Sequence, residues 1–264
     1  PPPVLGESGL GYFATLMIVG QVACIALPAV LVATTLARDW RRTLLLDRAP
    51  RGRDIALATS LAVALHPAGQ LLAAWVSELY PLSDSVQQQL EGFMGLLAGA
   101  GEPPIAVVLL LMAALPAVCE ELAFRGVILS GLRKTLGDVG AVLATAAVFG
   151  ATHSILAQQV AAAPVGAVIG LVALRTGSLW PCIVLHGVYN ALQLLTGLYA
   201  DAIRKLATTY GVDGALFGEM KPGQLGYSPA VAILGCVAAI ALWRAMGTPS
   251  GGRPHPGPAA TAAS

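Results

Sequence analysis

Charge is what this sequence has least of. Among its 264 residues 11% are charged and 56% are hydrophobic, and the mean hydropathy is +0.74. A soluble domain carries about 25% charge, so the charges here are too few to coat a soluble protein of this size. The formal net charge is only +1. No basic patch with interleaved aromatics occurs, which argues against a nucleic-acid partner. Cysteines number four, Cys24, Cys119, Cys182 and Cys236. All lie in apolar stretches without a C-x-x-C pair, so they imply no disulfide framework and no redox chemistry, and they act as small hydrophobes. The start, Pro1-Pro2-Pro3, has neither Met nor the basic region and cleavage site of a signal peptide. It reads as part of a longer chain.

What is abundant is apolar sequence in long runs. A membrane-spanning helix needs about 20 mostly apolar residues. Seven such runs are expected, from about Gly11 to Ala37, Ile55 to Val76, Pro104 to Leu132, Val139 to Ile155, Val160 to Leu174, Leu179 to Leu198 and Pro229 to Met246. His66-Pro67 predicts a kink in the second. The third is long for one crossing. Between the second and third lies a stretch with Glu78, Asp84, Glu91 and Glu102 and no Lys or Arg, whose segment Ser85 to Leu97 suits a surface helix. After the sixth comes a polar loop with Asp201, Arg204, Lys205, Asp213, Glu219 and Lys221. The fold class is therefore all-α, a polytopic membrane bundle of about seven transmembrane helices.

Lys and Arg concentrate on the cytoplasmic side of membrane proteins. The link holding Arg38, Arg41, Arg42, Arg48, Arg51 and Arg53 is therefore placed in the cytoplasm, and alternation puts Arg133, Lys134, Arg175, Arg244 and Arg253 there too. The acidic stretch and the loop after the sixth span then fall outside. Four regions result: N-terminal spans with an acidic extracytoplasmic segment over 1–103, a core over 104–198, an extracytoplasmic loop with the last span over 199–246, and a disordered Gly/Pro/Ala/Ser tail over 247–264.

Charges inside spans cost roughly 2.5–3.5 kcal/mol each on insertion scales, which makes them functional candidates. The third span carries Glu120, Glu121 and Arg125, the fourth His153, and the sixth His186 followed by Asn190. Glu121 and Arg125 are four apart and share a helix face, so they can pair. Glu120 is turned roughly 100° from Glu121 and points elsewhere. Phe149 with His153, and His186 with Asn190, are again four apart and share faces. Measured along their helices, Glu120, His153 and His186 sit at depths that one buried cluster could join.

These residues resemble a known family. Glu120-Glu121-x-x-x-Arg125, Phe149-x-x-x-His153 and His186-x-x-x-Asn190 are similar to the three motifs of the CPBP family, which holds type II CAAX prenyl endopeptidases and bacterial relatives linked to bacteriocin processing and immunity. Arg175-Thr176-Gly177-Ser178-Leu179-Trp180 before the last motif is also similar. The resemblance covers about Pro104 to Thr196, and its specificity lies in all three motifs occurring in order, each within a span. It implies peptide-bond hydrolysis within the membrane, in a bacterial inner membrane with the site facing the cytoplasm. Glu120 would be general base on a water, helped by His153. His186 and Asn190 would stabilise the oxyanion. Glu121 and Arg125 would support the third helix, and Phe149 would pack beside the site. No cofactor is preferred. The alternative is a metalloprotease in which Glu120, His153 and His186 hold zinc with one open position, although no H-E-x-x-H is present. The partners implied are the lipid bilayer and a membrane-associated peptide or protein substrate.

Simpler roles were weighed for single residues. His66 beside a proline is expected to be structural. Cys119 and Cys182 lie near Glu120 and His186, but an apolar setting makes a thiol inert. His255 lies in the tail and is assigned no role. A non-catalytic partner or module fused to a transporter permease is the competing function. A small transporter with a proton relay is a third, and the absence of a two-fold repeat counts against it.

Overall fold

The computed structural model describes residues 7–97, 103–218 and 225–246. The expected tail, with Arg253 and His255, lies outside the described residues, as do Pro1–Pro3, Glu102, Glu219 and Lys221. Within them the chain is an all-helical membrane bundle whose β content is one bridge, Phe217 to Tyr227. Nine helices matter here: α1 (7–36), α2 (Gly52–Leu79), α3 (Asp84–Leu97), α4 (105–136), α5 (138–151), α6 (Leu156–Thr176), α7 (Leu179–Leu198), α8 (Ala200–Thr209) and α9 (Pro229–Ala245). The stretch expected as a polar loop after α7 instead forms α8 and a single turn, Asp213–Leu216. The sequence ADAIRKLATT has its apolar residues on one side, so it lies as a short amphipathic helix rather than open chain. Through His66-Pro67, α2 continues as one helix.

Five helical stretches are long and apolar enough to cross a membrane, and one of them extends from Ile105 to Ala151. That stretch is a hairpin. Gly137 has φ 67 and ψ 179, outside the helical region, a conformation glycine adopts without steric cost. The rings of Phe124 and Phe149 lie 5.1 Å apart. In a straight helix 25 residues would separate them by roughly 37 Å, so the chain must double back at Gly137. Arg133 Nε bonds Asp138 Oδ1 across the turn at 2.7 Å. Two of the seven expected runs meet in this hairpin, and α9, with 17 residues, is shorter than the five long apolar stretches.

The core forms where small residues let backbones approach, as in membrane bundles generally. Ala58, Leu61 and Ala62 of α2 meet Val165, Ile169, Val172 and Ala173 of α6, and Cys182, Leu185 and Tyr189 of α7. On α5 the residues Val142, Thr145, Ala146, Phe149 and Gly150 are buried, a helical stripe, whereas Val139, Leu143 and Val148 point outward. In a bilayer such outward apolar faces meet lipid. At Gly170 a Cβ would touch Val142, and at Gly166 it would come within 2.8 Å of the Phe149 ring.

One side of the bundle is tied together by the cationic link between α1 and α2. Leu179 N–H donates to Leu45 O at 2.9 Å, Ser178 Oγ to Arg48 O at 3.2 Å, and Ser130 Oγ to Thr43 O at 2.9 Å. Arg53 and Arg175 donate to the last carbonyls of α9, at Ala245, Arg244 and Met246. The Arg-rich link, the α6–α7 turn and the end of α9 thus share one face of the bundle, as alternation requires.

Candidate active site

Three helices meet around Glu120 and Glu121. The α4 stretch that carries them is wound unevenly: Leu110–Ala114 and Leu122–Leu129 are π-helical, with the α-helical Leu115–Glu121 between. Wide π turns re-aim side chains and recur at functional sites. From the opposite side α7 brings His186, and α6 brings the backbone of Gly166.

Glu121 is the hub. It has no solvent exposure and neither does Arg125, whose Nη1 donates to Glu121 Oε1 at 2.7 Å. The expected pair therefore forms. Arg125 Nη2 also donates to Gly166 O at 2.7 Å, and the guanidinium lies 4.9 Å from the centre of the Phe149 ring. A buried cation in hydrocarbon requires this full set of counter-charge, carbonyl and π face. Glu121 Oε1 also accepts from His186 Nδ1, at 2.8 Å, a contact between helices that spacing along one helix does not reveal. A carboxylate only accepts, so Nδ1 carries hydrogen and the other nitrogen is directed elsewhere.

That other nitrogen faces Glu120. His186 Nε2 lies 3.8 Å from Glu120 Oε2, with the side chains 5% and 16% exposed. This separation exceeds hydrogen-bond length and leaves the two groups opposed without direct contact. Glu120 therefore does point away from Glu121, as the roughly 100° rotation requires. Its second oxygen, Oε1, accepts from Gln21 Nε2 of α1 at 3.2 Å. Gln21 was not singled out from sequence. The available signal was its being the sole carboxamide in the otherwise apolar stretch Gly11–Leu36.

Phe149 is buried and its ring edges those of Phe124, His153 and His186, at 5.1, 5.2 and 5.5 Å between centroids. It is the packing centre of the site. His153 departs from expectation in one respect. It was placed within a span reaching Ile155, but α5 ends at Ala151 and His153 stands in the following turn. The helix stops because Thr152 and His153 turn their N–H groups to Val148, Phe149 and Gly150 carbonyls. His153 Nδ1 lies 3.1 Å from Phe149 O, and Gln159 Nε2 donates to His153 O at 2.8 Å. So His153 reaches the site through Phe149 at the mouth of the α5–α6 turn. Asn190 is half-buried one turn after His186.

Among the described residues no group of three His, Cys, Asp or Glu side chains is arranged as metal ligands are. Cys182 is tied elsewhere. Cys182 Sγ lies 3.7 Å from the carbonyls of Ile169 and Ser178. His66 lies in a separate cluster. Its ring meets Tyr189 and Tyr227 edge-on at 5.7 and 5.5 Å, with Thr196 and Gln193 as polar neighbours.

No curated protein and no solved structure matches the chain significantly. A family model does match, over residues 102–192. The matched stretch contains all seven motif residues from Glu120 to Asn190 and excludes Gln21. Residues 102–192 thus match, as a continuous segment, the family described as Type II CAAX prenyl endopeptidase Rce1-like, the family that the three motifs resemble.

Proposed function

We propose that the chain is an intramembrane endopeptidase that hydrolyses a peptide bond of a membrane-associated protein or peptide, with water activated by Glu120. The observation that carries this reading is the division of labour between two adjacent glutamates. Glu121 is wholly buried and committed to Arg125 and His186. Glu120 has no cation of its own, keeps some exposure, and opposes His186 Nε2 across 3.8 Å. A carboxylate with an uncommitted oxygen beside a fixed imidazole is the equipment of general-base catalysis.

In this reading a water at Glu120 gives its proton to Oε2, and its oxygen adds to the scissile carbonyl carbon. The developing oxyanion is stabilised by His186 and the Asn190 amide. Collapse of the intermediate returns the proton from Glu120 to the departing amine. His153, in the turn between α5 and α6, assists the water. The Arg-rich face of the bundle is assigned to the cytoplasm of a bacterial inner membrane. His186 then lies roughly 12 Å in from Ser178, reached from the cytoplasmic side.

The test is cleavage of a panel of membrane-tethered peptides, some prenylated, by the purified chain in detergent. Wild type cleaves at least one, and Glu120→Ala loses on the order of 10³-fold or more in kcat while unfolding at the same temperature. A rate unaffected by chelator supports the metal-free form; a rate lost to chelator and restored by zinc supports the other. A folded wild type that cuts nothing across a broad panel would sink the protease reading and favour a non-catalytic membrane partner.

A further inference from the structure

Glu120 needs to be held, and the groups that hold Glu121 are already in use. Arg125 and His186 Nδ1 both go to Glu121 Oε1. The donor that reaches Glu120 comes from outside the matched segment, from α1. We infer that Gln21 is a positioning residue for Glu120, fixing one carboxylate oxygen so that the other faces His186 and the water. This rests on the protease reading above.

The two oxygens of Glu120 have different neighbours: Oε1 accepts from Gln21 Nε2 at 3.2 Å, and Oε2 lies 3.8 Å from His186 Nε2. A carboxylate gripped at one oxygen cannot rotate freely about its last torsion, so the basic lone pairs of the other keep one direction. Burying a carboxamide in a membrane span carries a cost unless its groups are paired. Gln21 is the sole carboxamide of Gly11–Leu36, and nothing else in α1 requires one. Its own position is adjusted by backbone winding. Val19–Ala26 is π-helical and packs on Leu115–Glu121 of α4, next to that helix's π-helical stretch. The widened stretch of α1 thus meets the α-helical turn that carries Glu120, just before α4 widens at Leu122. The other half of the amide, Gln21 Oε1, is buried with no partner among the described residues. α1 packs chiefly on α4, so its contribution to the site is this single polar contact within an apolar crossing.

The experiment uses the full chain in detergent with two variants that keep the shape of the side chain. Gln21→Met removes the donor, and Gln21→Glu replaces it with an acceptor. Each is assayed for kcat and KM, and Gln21→Met, Glu120→Ala and their combination are compared in thermal unfolding. A positioning role predicts kcat lower by about 10- to 100-fold, KM within about twofold, and Gln21→Glu at least as impaired as Gln21→Met. It also predicts Tm shifts that do not add, because the two residues touch. Wild-type kcat in Gln21→Met, a loss confined to KM, or additive Tm shifts would each overturn the inference. Non-additive shifts in a chain whose wild type cuts nothing would leave the Gln21–Glu120 pairing standing and remove the protease reading instead.

Discussion

Two histidines are buried in this bundle, and both are met by α7. His186 belongs to α7 and has a carboxylate on each side, one at 2.8 Å and one at 3.8 Å. His66 belongs to α2 and meets the α7 residue Tyr189 only three positions further along, among rings, a hydroxyl and an amide. The exposure of the two is nearly the same, 4% and 2%. Burial therefore does not separate a working histidine from a structural one. The difference lies in what faces the ring. The carboxylate at 2.8 Å fixes the tautomer of His186, and the second faces its other nitrogen. Aromatic edges give His66 shape and weak polarity.

The comparison is broken most severely by emptying the charged side of it. Glu121→Leu strands Arg125 and the Nδ1 hydrogen of His186 in an apolar interior. Loss of one partner from a buried pair costs about 3–5 kcal/mol, so thermal unfolding in detergent should show a large drop in Tm with loss of cleavage. Next comes exchange of the histidines themselves. His186→Phe should lower kcat by about 10²–10³-fold, the size of a lost oxyanion donor, whereas His66→Phe should leave kcat within about twofold. Equal losses in the two would erase the distinction drawn here.

A smaller effect tests the packing that frames the charged cluster. Gly166→Ala places a Cβ 2.8 Å from the Phe149 ring and 3.5 Å from Arg125 Nη2. Overpacking of this kind costs about 1–3 kcal/mol, measurable as a Tm drop, with kcat reduced because Phe149 also supports His186. The least effect is expected on the other side. The Tyr189 hydroxyl is buried without a partner among the described residues, so Tyr189→Phe should change stability by less than about 0.5 kcal/mol or raise it. In that background Gly69→Ala, whose Cβ would otherwise fall on the Tyr189 hydroxyl, should be better tolerated than alone. A large loss from Tyr189→Phe would show that the His66 cluster contains a bond the geometry does not reveal.

Much of this was legible before any coordinates. The Glu121–Arg125 pair follows from spacing, because residues four apart share a helix face. The opposite heading of Glu120 follows from the same geometry. Span positions were readable because lipid tolerates few charges, and α7 begins and ends where the apolar run does. The end of α5 was read four residues late: Ser154 and Ile155 prolong the apolar run, but the backbone has already turned at Thr152. Hydropathy reports what a residue tolerates and is blind to whether its N–H continues the helix.

Composition and order alone determined that the chain is a helical membrane bundle, because so few charges and such long apolar runs admit no other globular solution. They also determined which ionisable residues lie within it and which can pair along one helix, since those relations depend only on local pitch. The tertiary structure decided everything that crosses between helices: that Glu121 holds His186 as well as Arg125, that α4 and α5 form one hairpin at Gly137, and that Gln21 reaches Glu120 from 99 residues away. Such contacts depend on which helices become neighbours and how each is rotated. That is settled by the packing of small residues across the whole bundle, and no local stretch of sequence carries it.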